Sequence, residues 1–445
     1  MKRHSLVALY LVTGIAAAAS AAQPSTPVKY PRPPGSVAYY HGDHPVRPVY
    51  QQPLVPPEAD EHGVTIVDDP MEEQVIADNY SEYTGEFACT SHDCARPWDM
   101  WVRGEYLTWW GEGTSLPALV TTATGSGSGI LSDSDTQVLF GGHKVDNDQR
   151  DGGRFTLGAW LDEEHRMAIE ASIFAVEDLS TGFEVQSQGE PLLSRPFFNV
   201  ELQTEAVQII AAPGVSTGGV FISTESEVHG AELLLRRRLD QCCDRRIDLL
   251  YGYRYAGLDE SLLIRDELNS VDPNSNVPVG TVVGGFDSFQ TFNQFHGGQL
   301  GLAIDVYRRR WTLGLAGKVG LGNMRQQVTI GGSTFVAVPE QETIEAAGGL
   351  LTQPSNLGGF VRDEFAVIPE GQLNLRYCLT QNVELSVGYT VIYYSDVVRP
   401  ADQIDLRVDP RQITDPDNAS AIPAFDFVGS EFWLQGINAG LEYKF

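Results

Sequence analysis

The chain has 445 residues, of which 42% are hydrophobic and 20% charged, and its formal net charge at pH 7 is −29. A mean hydropathy of −0.17 is too polar for a helical membrane protein, but it agrees with a transmembrane β-barrel, in which only alternate residues face lipid. The acidic excess argues against a nucleic-acid partner, because phosphates require a basic surface.

The first 21 residues have the three parts of a secretory signal peptide. Lys2 and Arg3 supply positive charge, Leu6–Ala18 is apolar, and Ala19–Ala21 is a small-residue cleavage site. A transmembrane anchor is the alternative. It is disfavoured because the apolar stretch is short and polar sequence follows it. We therefore predict export through a cleaved signal peptide.

Residues 22–97 are rich in proline and acidic residues and show neither a helical nor a strand period. This composition is typical of a mostly disordered segment, here predicted to lie in the periplasm. Its proline-rich stretches, Pro31–Pro34 and Pro53–Pro57, leave open a partner-binding role as polyproline II.

From residue 98 onward, apolar and polar side chains alternate, as in strands with one face in lipid and the other in a lumen. The predicted strands are Trp101–Trp110, Phe155–Leu161, Met167–Ile173, Ala231–Leu235, Ile247–Tyr255, Leu300–Val306, Trp311–Leu321, Leu373–Tyr377, Val383–Val391 and Trp433–Phe445. Short turns and long acidic loops follow them in strict alternation. We therefore predict an all-β, antiparallel, up-and-down transmembrane barrel over residues 98–445, with short periplasmic turns and long extracellular loops. It has about ten strands, or twelve if residues 197–212 or 326–338 add more.

Charge follows the same division of the chain. Arginines cluster at two short turns, in Arg236–Arg238, Arg245, Arg246 and Arg308–Arg310. Acids cluster in the long loops, for example Asp402, Asp405, Asp409, Asp415 and Asp417. We interpret the acids as solvated loop residues. The alternative is that they bind divalent cations on the outer face.

The alternation also assigns charges of both signs to the lumen. The predicted inward residues are Arg103, Glu105, Arg154, Glu170, Glu232, Asp248, Arg254, Asp305, Lys318, Glu370, Arg376 and Glu384. Buried charges must be paired and hydrogen-bonded, and open channels need about sixteen strands. We therefore expect salt-bridge networks to plug the lumen, with a narrow pore lined by the same charges as the functional alternative.

The last predicted strand ends on an aromatic residue, and the alternating residues that lead to it are Ile437, Ala439, Leu441, Tyr443 and Phe445. This pattern resembles the signal that the outer-membrane assembly machinery recognises. Aromatic residues at strand ends favour a lipid-facing barrel over a secreted β-rich adhesin; they are Trp109, Trp110, Tyr255, Tyr393 and Tyr394. The expected partners are outer-membrane lipid and the assembly machinery, and the pattern gives no indication of an oligomeric state.

Short motifs recur in a fixed order along this region. They are Tyr106–Trp110, Arg195–Phe198, Pro213–Gly214, Gly252–Tyr255 and Glu442–Phe445. With these motifs, the region from Trp98 to Phe445 resembles the beta-barrel-protein-seven family of planctomycete outer-membrane proteins. The resemblance implies a barrel in the outer membrane and brings no substrate or catalytic residue.

No motif predicts catalysis. Ten-stranded outer-membrane proteases use acids with a histidine at the barrel rim, but the candidate histidines lack obvious acidic partners at matching strand ends; they are His143, His165, His229 and His296. No cofactor is expected. Asp146, Asp148 and Asp151 resemble part of a calcium loop, but Arg150 occupies a ligand position, so ordinary turns are favoured over a bound calcium.

The five cysteines do not define a disulfide scaffold. Cys89 and Cys94 are close enough to bridge in an oxidising compartment, whereas adjacent Cys242 and Cys243, and Cys378, have no deducible partners. Together these observations predict a non-enzymatic outer-membrane barrel with a structural or surface-presentation role that displays acidic extracellular loops. A narrow passive pore for small solutes and a secreted adhesin are the alternatives.

Overall fold

The computed structural model of the chain describes residues 99–124, 127–242 and 244–445. The predicted signal peptide, the proline-rich segment and the cysteines Cys89, Cys94 and Cys243 lie outside the described residues. Strands are numbered in chain order. Ten of them form the barrel: β1 (Met100–Gly111), β6 (Gln149–Trp160), β7 (Met167–Ser187), β10 (Ser216–Gln241), β11 (Arg245–Ser270), β12 (Val282–Arg308), β13 (Trp311–Ala337), β15 (Gly358–Cys378), β16 (Val383–Val398) and β18 (Gly429–Lys444).

Each barrel strand pairs antiparallel with the next barrel strand along the chain, and β18 closes the ring on β1. The predicted all-β, up-and-down topology is therefore confirmed. All ten predicted strands are present, and the turns after β6, β10, β12 and β15 are short. We call their side the short-turn end and the opposite side the long-loop end. Among the described residues, no helix combines the length and apolar character that crossing a bilayer would require.

The barrel wall is high on one side and low on the other. Six neighbouring strands, β7, β10, β11, β12, β13 and β15, contain 21 to 27 residues each. The other four, β1, β6, β16 and β18, contain 12 to 16 residues. A tilted strand crosses a bilayer in about ten residues, so the six long strands continue well beyond the membrane at the long-loop end.

The outward face of the barrel carries a continuous apolar band. Large apolar side chains that a soluble protein would bury are 39% to 60% exposed here; examples are Ile173, Leu233, Leu300, Leu315, Leu373, Val391 and Ile437. On β11 the band runs from Ile247 to Tyr255. Acyl chains are the environment in which such a surface is stable, so this band marks the spanning segments.

Beyond the band, the long strands reverse their polarity without changing which residues point inward. On β11, Asp248 and Arg254 point into the lumen within the band, whereas Leu258, Leu262 and Ile264 point inward above it. The outward positions change from apolar to polar over the same stretch. The upper part of each long strand is therefore built like a soluble sheet that covers a hydrophobic core.

A folded cap fills the space above the low side of the wall. It consists of described residues from 112–148, 188–215 and 399–428, which come from three long loops. Its strands are β2 (Thr114–Ser115), β3 (Val120–Ala123), β4 (Thr136–Phe140), β5 (Lys144–Val145), β8 (Leu193–Asn199), β9 (Thr204–Ala211) and β17 (Arg407–Val408). A 3₁₀-helix (Pro400–Gln403) and helix α1 (Arg411–Thr414) complete it, while β14 (Ile344–Ala347) extends the high wall beside β13.

Strand β8 joins the three loops into one sheet. It pairs antiparallel with β3 and β9, and it pairs in parallel with β17 through Phe198 and Asn199. Apolar side chains of the cap, including Leu193 and Phe140, pack against Ile222, Leu262 and other inward residues of the high wall. This shared core ties the cap to the barrel.

Two sequence-based expectations need correction. Residues 204–211 do form a strand, but β9 belongs to the cap sheet, and residues 326–338 largely continue β13, so the ring keeps ten strands. Trp109 and Tyr394 were expected among lipid-facing aromatics, but their side chains point inward and are 0% and 1% exposed. Both occupy inward positions of their strands, beside charged residues that had been assigned to the lumen.

Two inward indoles each lie over a glycine of the neighbouring strand. A Cβ atom on Gly158 would stand 2.0 Å from the Trp101 ring, and one on Gly436 would stand 2.5 Å from the Trp109 ring. We expect Gly158→Val to lower the free energy of unfolding by about 1–3 kcal/mol, because the ring has to move. Denaturant titration in detergent micelles, followed by the gel mobility of the unboiled protein, measures the change. Gly317→Val is the matched control, since open space surrounds Gly317, and an equal loss in both variants would contradict the packing argument.

Candidate functional site

The lumen is the candidate functional site, and its short-turn half is filled with charged side chains. All twelve residues assigned to the lumen from the sequence lie on inward-facing positions, and they meet four more: Arg236, Arg246, Glu442 and Lys444. We call these sixteen side chains the charge network. It contains eight basic and eight acidic groups, so it has no net formal charge.

The upper tier of the charge network is built around Lys318. Its Nζ atom lies 2.8 Å from a Glu232 carboxylate oxygen and 3.1 Å from a Glu370 oxygen. The Arg254 guanidinium donates to the same Glu370 carboxylate at 2.6 Å, and Gln299 donates to Glu232 at 2.8 Å. Lys318 is only 5% exposed, so removal of one member would leave an opposite charge unpaired in the lumen.

The lower tier lies nearer the short turns. Arg103 contacts Glu442 at 2.5 Å, and Arg236 lies 2.9 Å from Asp248 and 3.4 Å from Glu170. The other pairs of the charge network are Arg376 with Asp305, Lys444 with Glu384 and Glu442, Arg246 with Asp248, and Arg154 with Glu105 at 3.8 Å. A cavity of about 70 Å³ lies among these groups. It has room for a few water molecules, which need about 10–15 Å³ each.

Four members of the charge network were not predicted from the sequence, although the alternation along their strands indicates that they point into the lumen. Glu442 and Lys444 alternate with Leu441 and Tyr443, whose outward faces place the two charged residues in the lumen. Arg236 stands on the inward positions of β10 with Glu232. Glu442 and Lys444 enter the sequence-based prediction only in the family motif, and Arg236 and Arg246 only in a basic turn, although the alternation assigns all four to the lumen.

An apolar layer crosses the lumen directly above the charge network. Nine of the ten barrel strands contribute to it, and its fifteen members are 0% to 5% exposed. They are Leu107, Trp109, Val176, Val228, Ala256, Leu258, Phe295, Met324, Ala366, Ile368, Ile392, Tyr394, Val397, Phe432 and Leu434. The sequence reading missed this layer, although alternation places these side chains inward. Ions cannot cross such a layer without losing their hydration.

Above the apolar layer, Arg399 fixes the last long loop in the mouth of the barrel. Its guanidinium donates to both oxygens of Glu260 on the wall, at 2.8 and 2.7 Å. It also donates to the hydroxyl of Thr114 and to the carbonyl oxygens of Gly113 and Glu112. Arg399 is 5% exposed, and each of its three guanidinium nitrogens donates at least one of these bonds. The contact holds two cap loops against the wall.

A second buried arginine anchors β8 of the cap. Arg195 is 1% exposed, and it donates to Asp266 of β11 at 2.5 Å and to Asp287 of β12 at 2.6 Å. Asp287 also accepts bonds from the backbone N–H groups of Leu351 and Thr352. Burial raises the pKa of Asp266, and the neighbouring Asp287 adds to this effect. The cap therefore depends on buried charge pairs as well as on apolar packing.

The acids of the last long loop are not uniformly solvated, which corrects the sequence-based expectation. Asp415 and Asp417 are exposed, but the Asp409 side chain is fully buried. Asp409 accepts two bonds from the Arg411 guanidinium and two from Ser420. The Arg411 bond, with those from Ser420, holds the pKa of Asp409 well below its usual range.

Two of the four histidines do have acidic neighbours, contrary to expectation, but neither pair lies at the inner rim. His165 contacts Asp99 at the short-turn end, and His229 contacts Glu227 on the outer surface of β10. His296 accepts from or donates to the Tyr253 hydroxyl, also on the outer surface. His143 bonds a backbone carbonyl of the cap.

The residues that resembled a calcium loop are used differently. Asp146 is 4% exposed and accepts the Thr181 hydroxyl at 2.6 Å. Asp151 accepts a bond from Gln149 on the outward face of β6, and Asp148 is exposed. Within residues 99–124, 127–242 and 244–445, no group of three acidic, histidine or cysteine side chains is arranged to hold a metal ion.

At the short-turn end, Cys242 is free and exposed, and Cys378 is disulfide-bonded. The closing strand β18 lies between β16 and β1, where Ile437, Leu441 and Tyr443 face outward and are 44% to 48% exposed. Phe445 exchanges two backbone hydrogen bonds with Met100, so the pairing with β1 continues to that residue.

Comparison with known proteins places the barrel among outer-membrane proteins. Residues 101–445 match the sequence profile of the family described as Putative beta barrel porin-7 (BBP7). The outer membrane protease OmpT from Escherichia coli is similar at 12% identity, with 78% of this chain and 97% of that chain covered and a TM-score of 0.37. The Pseudomonas putida toluene transporter TodX is similar at 9% identity, with 82% and 95% covered and a TM-score of 0.19. No curated protein matches the chain.

The charge network predicts that a mutation in a buried ion pair lowers the free energy of unfolding much more than a mutation in an exposed ion pair. We expect Lys318→Met to lower the free energy of unfolding by about 3–5 kcal/mol, because two glutamates would then share one arginine. The second substitution Glu232→Gln restores neutrality and should recover part of that loss. Denaturant titration in micelles measures both variants. Lys144→Met, which breaks an exposed pair with Glu112, should cost about 0–1 kcal/mol, and a similar cost for Lys318→Met would refute the expectation.

Proposed function

Because this chain belongs to the beta barrel porin-7 family and is a porin-like outer-membrane β-barrel, we propose that it works as an occluded barrel that presents its cap and acidic outer surface outside the cell. In outer-membrane barrels the short turns face the periplasm and the long loops face outward. The cap would then be the exposed, working part, and the spanning barrel would be its anchor.

The apolar layer is the observation that carries this proposal. Its buried side chains come from nine strands and form one contacting cluster in the lumen. On the tenth strand, β6, the residue opposite Trp109 is the fully buried Arg150, which donates to Ser226. The charge network below it is paired and neutral, and the cap closes the mouth above it through Arg399 and Arg195. A barrel that is sealed at three successive levels is better suited to anchoring than to steady conduction.

The character of the outer surface supports presentation. Beyond the apolar band, the exposed acidic side chains of the described residues are Asp148, Glu177, Asp178, Glu184, Glu190, Glu201, Glu225, Glu227, Glu267, Glu340, Glu342, Glu345, Asp363, Asp415, Asp417, Asp426 and Glu431. In the same part of the chain, the exposed basic side chains are Lys144, Arg265, Arg325 and Arg407. The proposed display surface is therefore strongly negative, which suits a cationic partner or a solvated exterior.

The proposed role is non-enzymatic. The histidine–acid pairs lie on the outer surface or at the short-turn end, rather than around a concave site at the mouth. We further propose that residues 1–21 direct export, that residues 22–97 lie in the periplasm, and that the assembly machinery recognises the closing strand through Ile437, Ala439, Leu441, Tyr443 and Phe445. The outward exposure of several of these side chains supports their recognition before the barrel closes.

A narrow pore is the second candidate function. The cavity of about 70 Å³ in the charge network supports it, because a movement of the apolar layer would connect a hydrated space to the mouth. The pore would pass only small solutes, since the cavity has room for only a few water molecules.

Conductance across planar bilayers separates the two candidates. We expect the purified protein to show no persistent open-channel current, because ions would have to enter the apolar layer dehydrated. The double variant Phe295→Ala/Phe432→Ala should conduct measurably, because it removes two rings from that layer. Leu302→Ala, on the lipid-facing side of β12, is the matched control and should remain closed. Stable current steps from the unaltered protein would contradict occlusion and support the pore.

Two Asp-x-Arg pairs in the last long loop allow a matched test of cap presentation. The Asp409 side chain is fully buried and linked to Arg411 and Ser420, whereas the Asp405 side chain is 18% exposed and its partner Arg407 is 63% exposed. A carboxylate with a depressed pKa stabilises the fold above its unfolded value of about 3.9 and stops doing so as the pH falls through the folded value. At neutral pH, Asp409→Asn should therefore loosen the loop, and Asp405→Asn should not.

Protease treatment of whole cells measures this loosening. We expect Asp409→Asn to be cleaved within residues 399–428 several times faster than the unaltered protein, and Asp405→Asn to be cleaved at the unaltered rate. Cleavage that appears only after the outer membrane is opened would place the cap in the periplasm and refute presentation.

A further inference from the structure

Five arginines lie near the short-turn end, on β10, β11, β12 and the turn after β12. They are Arg237, Arg245 and Arg308–Arg310. By strand alternation, Arg237, Arg245 and Arg308 point away from the lumen, and all three are exposed. We call these three the arginine row. The acids of the same turns are Asp240 and Asp244, and Asp240 lies 3.2 Å from Arg245. Positive charge therefore prevails on this part of the rim.

The arginine row borders the apolar band. On the same outward faces, the next residues toward the long-loop end are apolar: Leu235 on β10, Ile247 on β11 and Val306 on β12. A side chain at the edge of the acyl-chain zone meets lipid headgroups, and a long arginine side chain can keep its stem in the apolar zone and its charge at the phosphate.

Aromatic residues continue the same edge on the next two strands. Trp311 of β13 pairs with Arg308, and its ring centroid lies 4.7 Å from that of Tyr377 on β15. Trp311 is 47% exposed. Tryptophan and tyrosine concentrate at the membrane–water interface, so their presence independently places the headgroup level at this height.

The positive charge is confined to one side of the barrel. The turn between β6 and β7, on another part of the same rim, carries Asp162, Glu163 and Glu164 against a single Arg166. Solubility alone does not require that basic and acidic residues occupy different parts of the rim. The division gives the barrel a preferred side for an anionic neighbour.

We propose that the arginine row binds the phosphate of an anionic phospholipid in the periplasmic leaflet of the outer membrane. The register places Arg245 opposite Val306, two residues from Arg308. It places Arg237 opposite Leu249, four residues farther along β11 than Arg245. At about 3.3 Å per residue and about 4.8 Å between strands, the Cα atoms of Arg245 and Arg308 lie about 8 Å apart, close enough to share one headgroup with one or two phosphates. Arg237 lies about 14 Å from Arg245, within reach of the neighbouring headgroup.

Arginine can donate two hydrogen bonds to one phosphate group. Phosphatidylcholine also has a phosphate, but its choline group cancels the negative charge, so the row should prefer a headgroup that keeps a net negative charge. The lipid-facing direction of the row favours a membrane lipid over a soluble acidic protein.

Native mass spectrometry of the delipidated full-length protein tests this site. Phosphatidylglycerol and cardiolipin are added separately, with phosphatidylcholine as the zwitterionic reference. The unaltered protein should retain the anionic lipids preferentially, and R237Q/R245Q/R308Q should retain them less, by about fivefold for each arginine removed. R265Q/R325Q removes two exposed outward arginines at the long-loop end and should leave retention unchanged.

Each outcome decides the proposal. Equal retention of anionic and zwitterionic lipid, undiminished retention by the triple variant, or an equal loss in R265Q/R325Q would overturn it. Displacement of the lipid by inorganic phosphate at equal concentration would assign the site to free phosphate and also overturn it. The mobility shift of the unboiled protein verifies that each variant is folded. If the triple variant fails to fold, R237Q and R308Q are measured singly, and each should lower retention about fivefold.

Discussion

The lumen of a ten-stranded barrel has to be filled, because it is wider than a single row of side chains and too narrow for an open aqueous channel. This chain fills it in two different ways at two heights. Near the short turns, eight basic and eight acidic side chains pair into a neutral network around Lys318 and Arg376. Above them the filling is apolar. Every other feature of the structure, from the paired charges to the closed mouth, depends on this filling.

The strands of the high wall face lipid along one part of their length and water along the other. Within the apolar band, their outward residues face lipid and many of their inward residues are charged. Beyond the band, the outward residues face water and the inward residues are mostly apolar, except for acids such as Glu260 and Asp266 that pair with buried arginines of the cap. The pleat continues without interruption, and only the chemistry of the two faces changes. The upper wall can therefore support a cap whose hydrophobic core resembles that of a soluble domain.

The same reversal explains what the sequence could and could not predict. Strict alternation found all ten barrel strands and the inward charges, because lipid forces one face to be apolar throughout the band. It predicted that each long strand ends near the level of Tyr255. At that level the outward residues change from apolar to polar and the inward residues change from charged to mostly apolar, so the pattern resembles the end of a strand. It also misassigned Trp109, because aromatic character was given more weight than the position of the residue in the alternation.

The cap could not be predicted in the same way, because its contacts are not local in sequence. No periodicity within a loop indicates that Arg195 meets Asp287, or that Arg399 meets Glu260. Such pairs depend on which loops the closed ring brings together. The sequence therefore indicated the chemistry of the long loops, as acidic and rich in turns, without indicating that three of them share one sheet.

The composition of that sheet has a consequence for the order in which the molecule forms. Strand β8 receives β3 from the first long loop and β17 from the last, and β17 precedes only the closing strand. The sheet cannot be completed until nearly the whole chain has emerged and the final hairpin has reached the first. Contacts between such distant segments form slowly, because the chain loses the entropy of closing a long loop before the contacts contribute any stabilising free energy. A finished cap would therefore serve as a sign of a closed barrel, recognisable from outside the membrane without access to the strands themselves.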